Sequence, residues 1–189
     1  FFERHSKLVA PELIGCSLIR INKGGGILKG TIVETEAYSQ EEESCHGFNK
    51  KTNSNKTLFG EPGRIYVYRS YGLHYCFNIV TDKKNYASGV LIRSISMENQ
   101  PERIASGPGL LTKKFLIDFE LNNLKIFDNN LLMITHPSNK IEDNELVQTK
   151  RVGISKAINL KWRWYLRQSR SISKRVKGDK NPPLKYLFN

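Results

Sequence analysis

The chain has 189 residues, 39% hydrophobic and 10% aromatic, which suits one globular domain and excludes a disordered chain. Three cysteines, Cys16, Cys45 and Cys76, without a C-x-x-C pair exclude a disulfide scaffold, and no apolar run approaches the ~18 residues of a membrane span. The net charge is +12, and residues 150–189 hold twelve Lys/Arg against one acid, Asp179, so +11 of it lies there. A basic end interleaved with Trp162, Trp164 and Tyr165 points to nucleic-acid phosphates rather than a membrane surface, with a solvated basic face as the plainer reading. The first residues carry no secretory apolar core, so an intracellular protein is expected.

In chain order, residues 17–22 predict a strand, Lys23-Gly24-Gly25-Gly26 a turn, and 27–38 a second strand, making a hairpin. Within it, Thr31-Ile-Val-Glu-Thr-Glu-Ala-Tyr38 alternates, so Glu34, Glu36 and Tyr38 share one face and Val33, Thr35 and Ala37 the other. The two carboxylates would lie ~7 Å apart, twice the strand rise. Either this face is a solvated edge with two ordinary acids, or one acid positions and the other is a general base. Residues 39–62 are polar and predict a long surface loop of the kind that is usually functional or disordered.

Strands are predicted over 64–69, 73–80 and 89–95. Tyr66 and Tyr68 point away from Ile65 and Val67. They form either a tyrosine-rich core layer or a platform for stacked bases. Tyr71-Gly72 is the turn between two of these strands, where a bulky aromatic is poorly explained as core. Arg93 interrupts Val90-Leu91-Ile92; it faces outward, or it is buried and needs an acid such as Glu34 or Glu36. A helix is predicted within 100–117, opened by Ser106-Gly107-Pro108. Weaker strands are predicted near 124–127, 130–135, 151–155 and 163–167, a loop over 137–149, and a loosely held basic tail from Lys174. Closely spaced strands with short turns favour antiparallel pairing. Cys45-His46 and His74-Tyr75-Cys76 hold metal-ligand types at spacings that match no common zinc pattern, so neither metal nor cofactor is expected.

Taken in order, these pieces resemble the 3-methyladenine (alkyladenine) DNA glycosylase family. They are Val33-Glu34-Thr35-Glu36-Ala37-Tyr38, Cys45-His46, Leu58-Phe59-Gly60-Glu61-Pro62-Gly63 and Tyr66-Val67-Tyr68-Arg69-Ser70-Tyr71-Gly72-Leu73-His74-Tyr75-Cys76-Phe77-Asn78. They continue with Val90-Leu91-Ile92-Arg93, Ser106-Gly107-Pro108, Arg151-Val152-Gly153-Ile154 and Arg163-Trp164-Tyr165-Leu166-Arg167, so the resemblance spans roughly residues 8–170. After His46 the family usually has Ser; this chain has Gly47.

The resemblance implies an α+β fold: a single mixed domain, residues 1–173, around a curved, mainly antiparallel sheet with a few peripheral helices, followed by a basic tail over 174–189. It implies a monofunctional glycosylase of base excision repair that acts as a monomer on double-stranded DNA carrying an alkylated or deaminated purine, without membrane or cofactor. Such a protein belongs in the bacterial nucleoid or the eukaryotic nucleus. By the same resemblance Glu36 is the base that activates water, and Arg93 and the Val152 carbonyl hold that water. Tyr38, His46 and Tyr68 line the pocket for the flipped base, and Asn78 stands against the 2-amino group of guanine. Tyr71 fills the gap left in the duplex. From the basic end, Arg163 and Arg167 are expected to contact DNA phosphates. The competing reading is a non-catalytic nucleic-acid-binding module that stacks bases on its tyrosines; Glu36 beside Arg93 speaks against it, because a carboxylate repels phosphate. A hydrolase of free nucleosides would leave the basic end without a ligand.

Overall fold

A computed structural model describes residues 1–137 and 141–182. Its spine is a thirteen-residue strand. In chain order the elements are α1 (Ser6–Glu12), β1 (Ser17–Ile21), the spine β2 (Ile27–Ser39), β3 (Ile65–Ser70), β4 (His74–Val80), β5 (Ser88–Ser96), α2 (Pro108–Lys114), β6 (Leu132–Thr135), β7 (Leu146–Thr149) and β8 (Arg163–Leu166). The strands form one antiparallel sheet in the order β3-β4-β5-β2-β1-β6, with β8 paired to β2 and to β7. β5 occupies one edge of β2, so β1 and then β8 take the other edge in succession. The expected α+β class and curled antiparallel sheet are what the chain forms. No helix among the described residues is long and apolar enough to cross a membrane.

The register of β2 against β5 breaks at one place. Ile32 pairs with Ile95, Glu34 with Ser94 and Thr35 with Ile92, which leaves Val33 and Arg93 without ladder partners. A residue left over on each strand re-aims side chains and sharpens the local twist. The alternation read from the sequence still holds across this irregularity. Val33 and Ala37 are fully buried in the main core, and Thr35 Oγ1 donates to Ala10 O of α1 at 2.8 Å. Glu34 and Glu36 turn to the other face. That face is not a solvated edge, because both carboxylates are 0% exposed.

Several expected elements differ. The helix expected within 100–117 is α2 alone, opened by Gly107 (φ +97) with Pro108 in the first turn and followed by Leu116 at φ +52. Residue 125 of the expected 124–127 strand makes only an isolated bridge to Arg64. Residues 151–155 form no strand, since Gly153 takes φ +78. The 137–149 segment, read as loop, ends in β7. The N-terminal helix α1 was not expected: it is short, contains Pro11, has no acid in its first turn, and is capped by His5 Nδ1 accepting from Lys7 N.

The 39–62 segment is held from within. Asn55 Nδ2 donates to His46 O (2.8 Å) and Lys50 O (3.0 Å), and Leu58 and Phe59 pack with Cys45, Tyr66, Val80 and Ala87 in a second, smaller core. This second core lies under Tyr38 and Tyr68. Residues 174–182 are tied to the body: Asp179 takes Tyr165 Oη at 2.5 Å and Arg175 at 2.7 Å, and Arg163 donates to Lys174 O. The remaining tail, 183–189, lies outside the described residues.

Candidate active site

A cavity of about 520 Å³ opens where β2, β3, β4 and β5 meet the 39–62 loop and the 152–156 segment. Its wall includes Tyr38, His46, Tyr66, Tyr68, Tyr71, Asn78, Arg93 and Val152. Seven of the ten residues singled out from the sequence are therefore brought to one cavity. Glu36 lies immediately behind the wall. Its Oε2 accepts from Tyr38 Oη at 2.7 Å and from Arg93 Nη1 at 3.2 Å, and its Oε1 accepts from Val152 N at 2.7 Å. Val152 thus meets Glu36 through its amide. Gly153 at φ +78, with open space around it, lets the chain turn so that this amide faces inward.

The aromatic walls are fixed in protonated, uncharged forms. Burial, with Glu36 beside it, pushes the Tyr38 hydroxyl well above its ordinary range, so it remains a donor to Glu36. Burial raises Tyr66 and Tyr68 in the same direction. His46 sits edge-on to Tyr68, with ring centroids 4.1 Å apart, and its Nδ1 is 3.2 Å from Tyr66 Oη. Burial lowers the His46 pKa, which keeps the ring neutral at physiological pH. Its neighbour Gly47 is required by packing: a Cβ there would stand 2.1 Å from Ala87 Cβ. Asn78 is buried, and its Nδ2 is occupied by Tyr66 O (3.1 Å) and Cys76 O (3.4 Å), so the amide oxygen is the atom left for the cavity.

Residues 1–170 match the model of the methylpurine-DNA glycosylase (MPG) family. The chain belongs to this family. A protein of Trichodesmium erythraeum named as a 3-methyladenine DNA glycosylase is 40% identical, the match covering 92% of this chain and 95% of the relative. Relatives with the same name from Carboxydothermus hydrogenoformans and Methanoculleus marisnigri are 37% and 36% identical; each match covers 93% of this chain and 97% of the relative.

Within this glycosylase-family fold the remaining expected residues separate. Tyr71 is 87% exposed at the tip of the β3–β4 hairpin. Tyr71 (φ +48) and Gly72 (φ +68) are consecutive left-handed residues, closed by Leu73 N to Ser70 O at 2.9 Å, as a primed hairpin turn requires. Arg163, expected on a phosphate, is instead 2% exposed, with Nε 2.9 Å from Glu34 Oε1. β8 is inserted beside β2, and that register turns Arg163 inward opposite Glu36. Arg167 is exposed, donates to Asn144 O at 3.3 Å, and does not line the cavity.

The sequence reading gave no role to Arg151. Its guanidinium makes a two-toothed pair with Glu42 (2.6 and 2.7 Å), donates to Ala37 O at 2.9 Å, and lies 4.5 Å from the Tyr38 ring centroid. It backs the aromatic wall and ties the segment that carries Val152 to the end of β2 through Ala37 O. The available signal was its place directly before Val152, together with the acids Glu41, Glu42 and Glu43 in the loop.

Proposed function

We propose that this family member hydrolyses the N-glycosidic bond of an alkylated or deaminated purine swung out of duplex DNA, with Glu36 as general base. One observation carries the reading. A wholly buried carboxylate touches Tyr38, Arg93 and Val152 at the wall of an aromatic cavity, and every hydrogen bond it makes is one it accepts. A module that merely stacks bases has no use for that carboxylate.

A base within a duplex is out of reach of any side chain, so it must be extruded at a cost of a few kcal/mol, least for a damaged pair. The extruded base stacks between Tyr38 and the Tyr68–His46 side of the cavity. Alkylation at N3 or N7 makes a purine cationic, and neutral, electron-rich rings attract a cation on their faces. Such a base leaves readily. As the bond breaks, C1′ of the sugar takes on oxocarbenium character, and Glu36 both stabilises that charge and takes the proton of the attacking water. Arg93 steadies the carboxylate, and the Val152 segment holds the water beside it. Neutral hypoxanthine, a poorer leaving group, relies more on donors along the pocket wall. The Asn78 amide oxygen stands against an extra exocyclic amine such as that of guanine. On this reading the chain acts as a monomer in the compartment that holds the DNA.

The test is a duplex carrying one hypoxanthine or alkylated purine, incubated with the protein and then treated with alkali. Strand cleavage at that position is the expected outcome, and an intact strand with both substrates would refute it.

A further inference from the structure

Two acids and two arginines stand together, with Arg93 in the cavity wall and the other three behind it. Glu34 and Glu36 are 0% exposed, Arg93 6% and Arg163 2%. We infer that Glu34 and Arg163 are positioning residues for excision: they settle the charge on one side of Arg93 so that Arg93 serves Glu36. This rests on the reading of Glu36 as the base.

Arg93 is one cation between two carboxylates, with Nη1 3.2 Å from Glu36 Oε2 and Nε 3.4 Å from Glu34 Oε1. Two buried carboxylates on one arginine would compete for it and leave one negative charge uncompensated, which a low-dielectric interior resists by taking up a proton. Arg163 removes that competition. Its Nε lies 2.9 Å from the same Glu34 Oε1, closer than Arg93. Glu34 is further occupied by Ser94 Oγ (2.6 Å), Ser173 N (2.8 Å) and Ser173 Oγ (2.8 Å). Glu34 is therefore satisfied without Arg93, and the quartet is neutral. The missing ladder partners at Val33 and Arg93 mark the place where β2 and β5 depart from regular pairing to make this arrangement. Glu34 and Arg163 do not line the cavity, so neither side chain is placed to touch a base in it.

The groups around the quartet come from seven segments. Glu36 meets Arg93 of β5, Tyr38 of its own strand and Val152 N, with Tyr68, Cys76 and Arg151 at longer range. Glu34 meets Arg93 and Ser94 of β5, Arg163 of β8 and Ser173. Changing only the Glu34–Arg163 pair leaves all of the first set in place.

The experiment measures single-turnover excision across pH for the full chain and for Arg163→Met, Arg163→Lys, Glu34→Gln and Arg163→Met combined with Glu34→Gln. Arg163→Met leaves two acids on one arginine, so the acid limb of the rate should move to higher pH by about one unit or more, the usual scale for a neighbouring charge. Glu34→Gln leaves an extra cation, so the limb should move to lower pH while the plateau rate falls, as expected for a weaker base. The double variant should return the limb toward wild type, and Arg163→Lys should leave it in place. Opposite displacements that cancel are a signature that loss of structural support does not produce. If Arg163→Met fails to fold, Glu34→Gln and Arg163→Lys still decide. Unmoved limbs, or limbs moving in the same direction in folded proteins, overturn the inference. Glu36→Gln run alongside separates the two readings. Full excision by that variant would remove the base itself and overturn both, whereas its inactivity with unmoved limbs elsewhere would overturn only the role of the pair.

Discussion

The floor of the cavity and the tip of the β3–β4 hairpin are built on opposite principles. At the floor, charged side chains are enclosed and each meets a partner: Glu36 with Arg93, Glu34 with Arg163, Glu42 with Arg151. At the tip, Tyr71 and Leu73 are 87% and 81% exposed, carried by two consecutive left-handed residues. Buried charge is tolerated only in a rigid, fully paired frame. An exposed apolar tip contributes little to folding and is free to meet a partner. On the proposed reading, chemistry and stability belong to the floor and work on the duplex to the tip.

The largest expected effect breaks the floor. Glu42→Ala leaves the Arg151 guanidinium buried without its carboxylate, and truncating one member of a buried pair costs about 3–5 kcal/mol. Urea unfolding should show a lower midpoint with an unchanged slope. A loss below about 1 kcal/mol, the level of a surface ion pair, would mean that the pair does not brace the wall.

Glu36→Gln comes next and separates chemistry from folding. It keeps the side chain's shape and removes its capacity to take a proton. Excision should fall at least ~100-fold, the usual scale of general-base catalysis, with duplex affinity retained. Single-turnover excision near the wild-type rate would sink the assignment of Glu36.

How far the sequence reveals these two regions follows from how local each signal is. Alternation over a single strand placed β3, β4 and β5 within about a residue at each end, and it put Glu34 and Glu36 on the face away from α1. The tip was legible for the same reason, since Tyr71-Gly72 between two regular strands leaves little but a turn. The floor was not. Arg151 and Glu42 are 109 residues apart, and Glu34 and Arg163 are joined only because β8 inserts beside β2. The unpaired Val33 and Arg93 leave no mark in either strand's pattern. Composition also misled. The basic end reads as one phosphate-binding surface, yet Arg151, Arg163, Arg170 and Arg175 pair with Glu42, Glu34, Glu102 and Asp179.

Tyr71→Ala should sharpen the other side of the comparison. It should leave unfolding free energy unchanged and lower excision most where flipping is hardest. Stacking of an aromatic against a base is worth ~1–3 kcal/mol, so the loss for a damaged base in a stable pair should be about fivefold or more. The same base opposite a gap is already cheap to extrude and should show a smaller loss. Equal losses on both substrates would mean that Tyr71 acts at its turn and not on the duplex.

The smallest expected effect tests the sorting of the basic residues themselves. Arg163 and Arg167 sit four positions apart, one enclosed on Glu34 and the other exposed. Lys156 is also exposed and lies on the cavity wall. An exposed cation on a phosphate releases a condensed counterion when DNA binds. Each such contact contributes about −0.9 to the slope of log affinity against log salt. Arg167→Gln and Lys156→Gln should each flatten that slope by about this amount, leaving the unfolding midpoint and the single-turnover excision rate at saturation unchanged. Arg163→Lys, which keeps its charge inside, should leave the slope as it is. A slope that responds to Arg163 and ignores both exposed residues would place the phosphate contacts on the wrong side of the buried–exposed division and would undo the comparison at its weakest point.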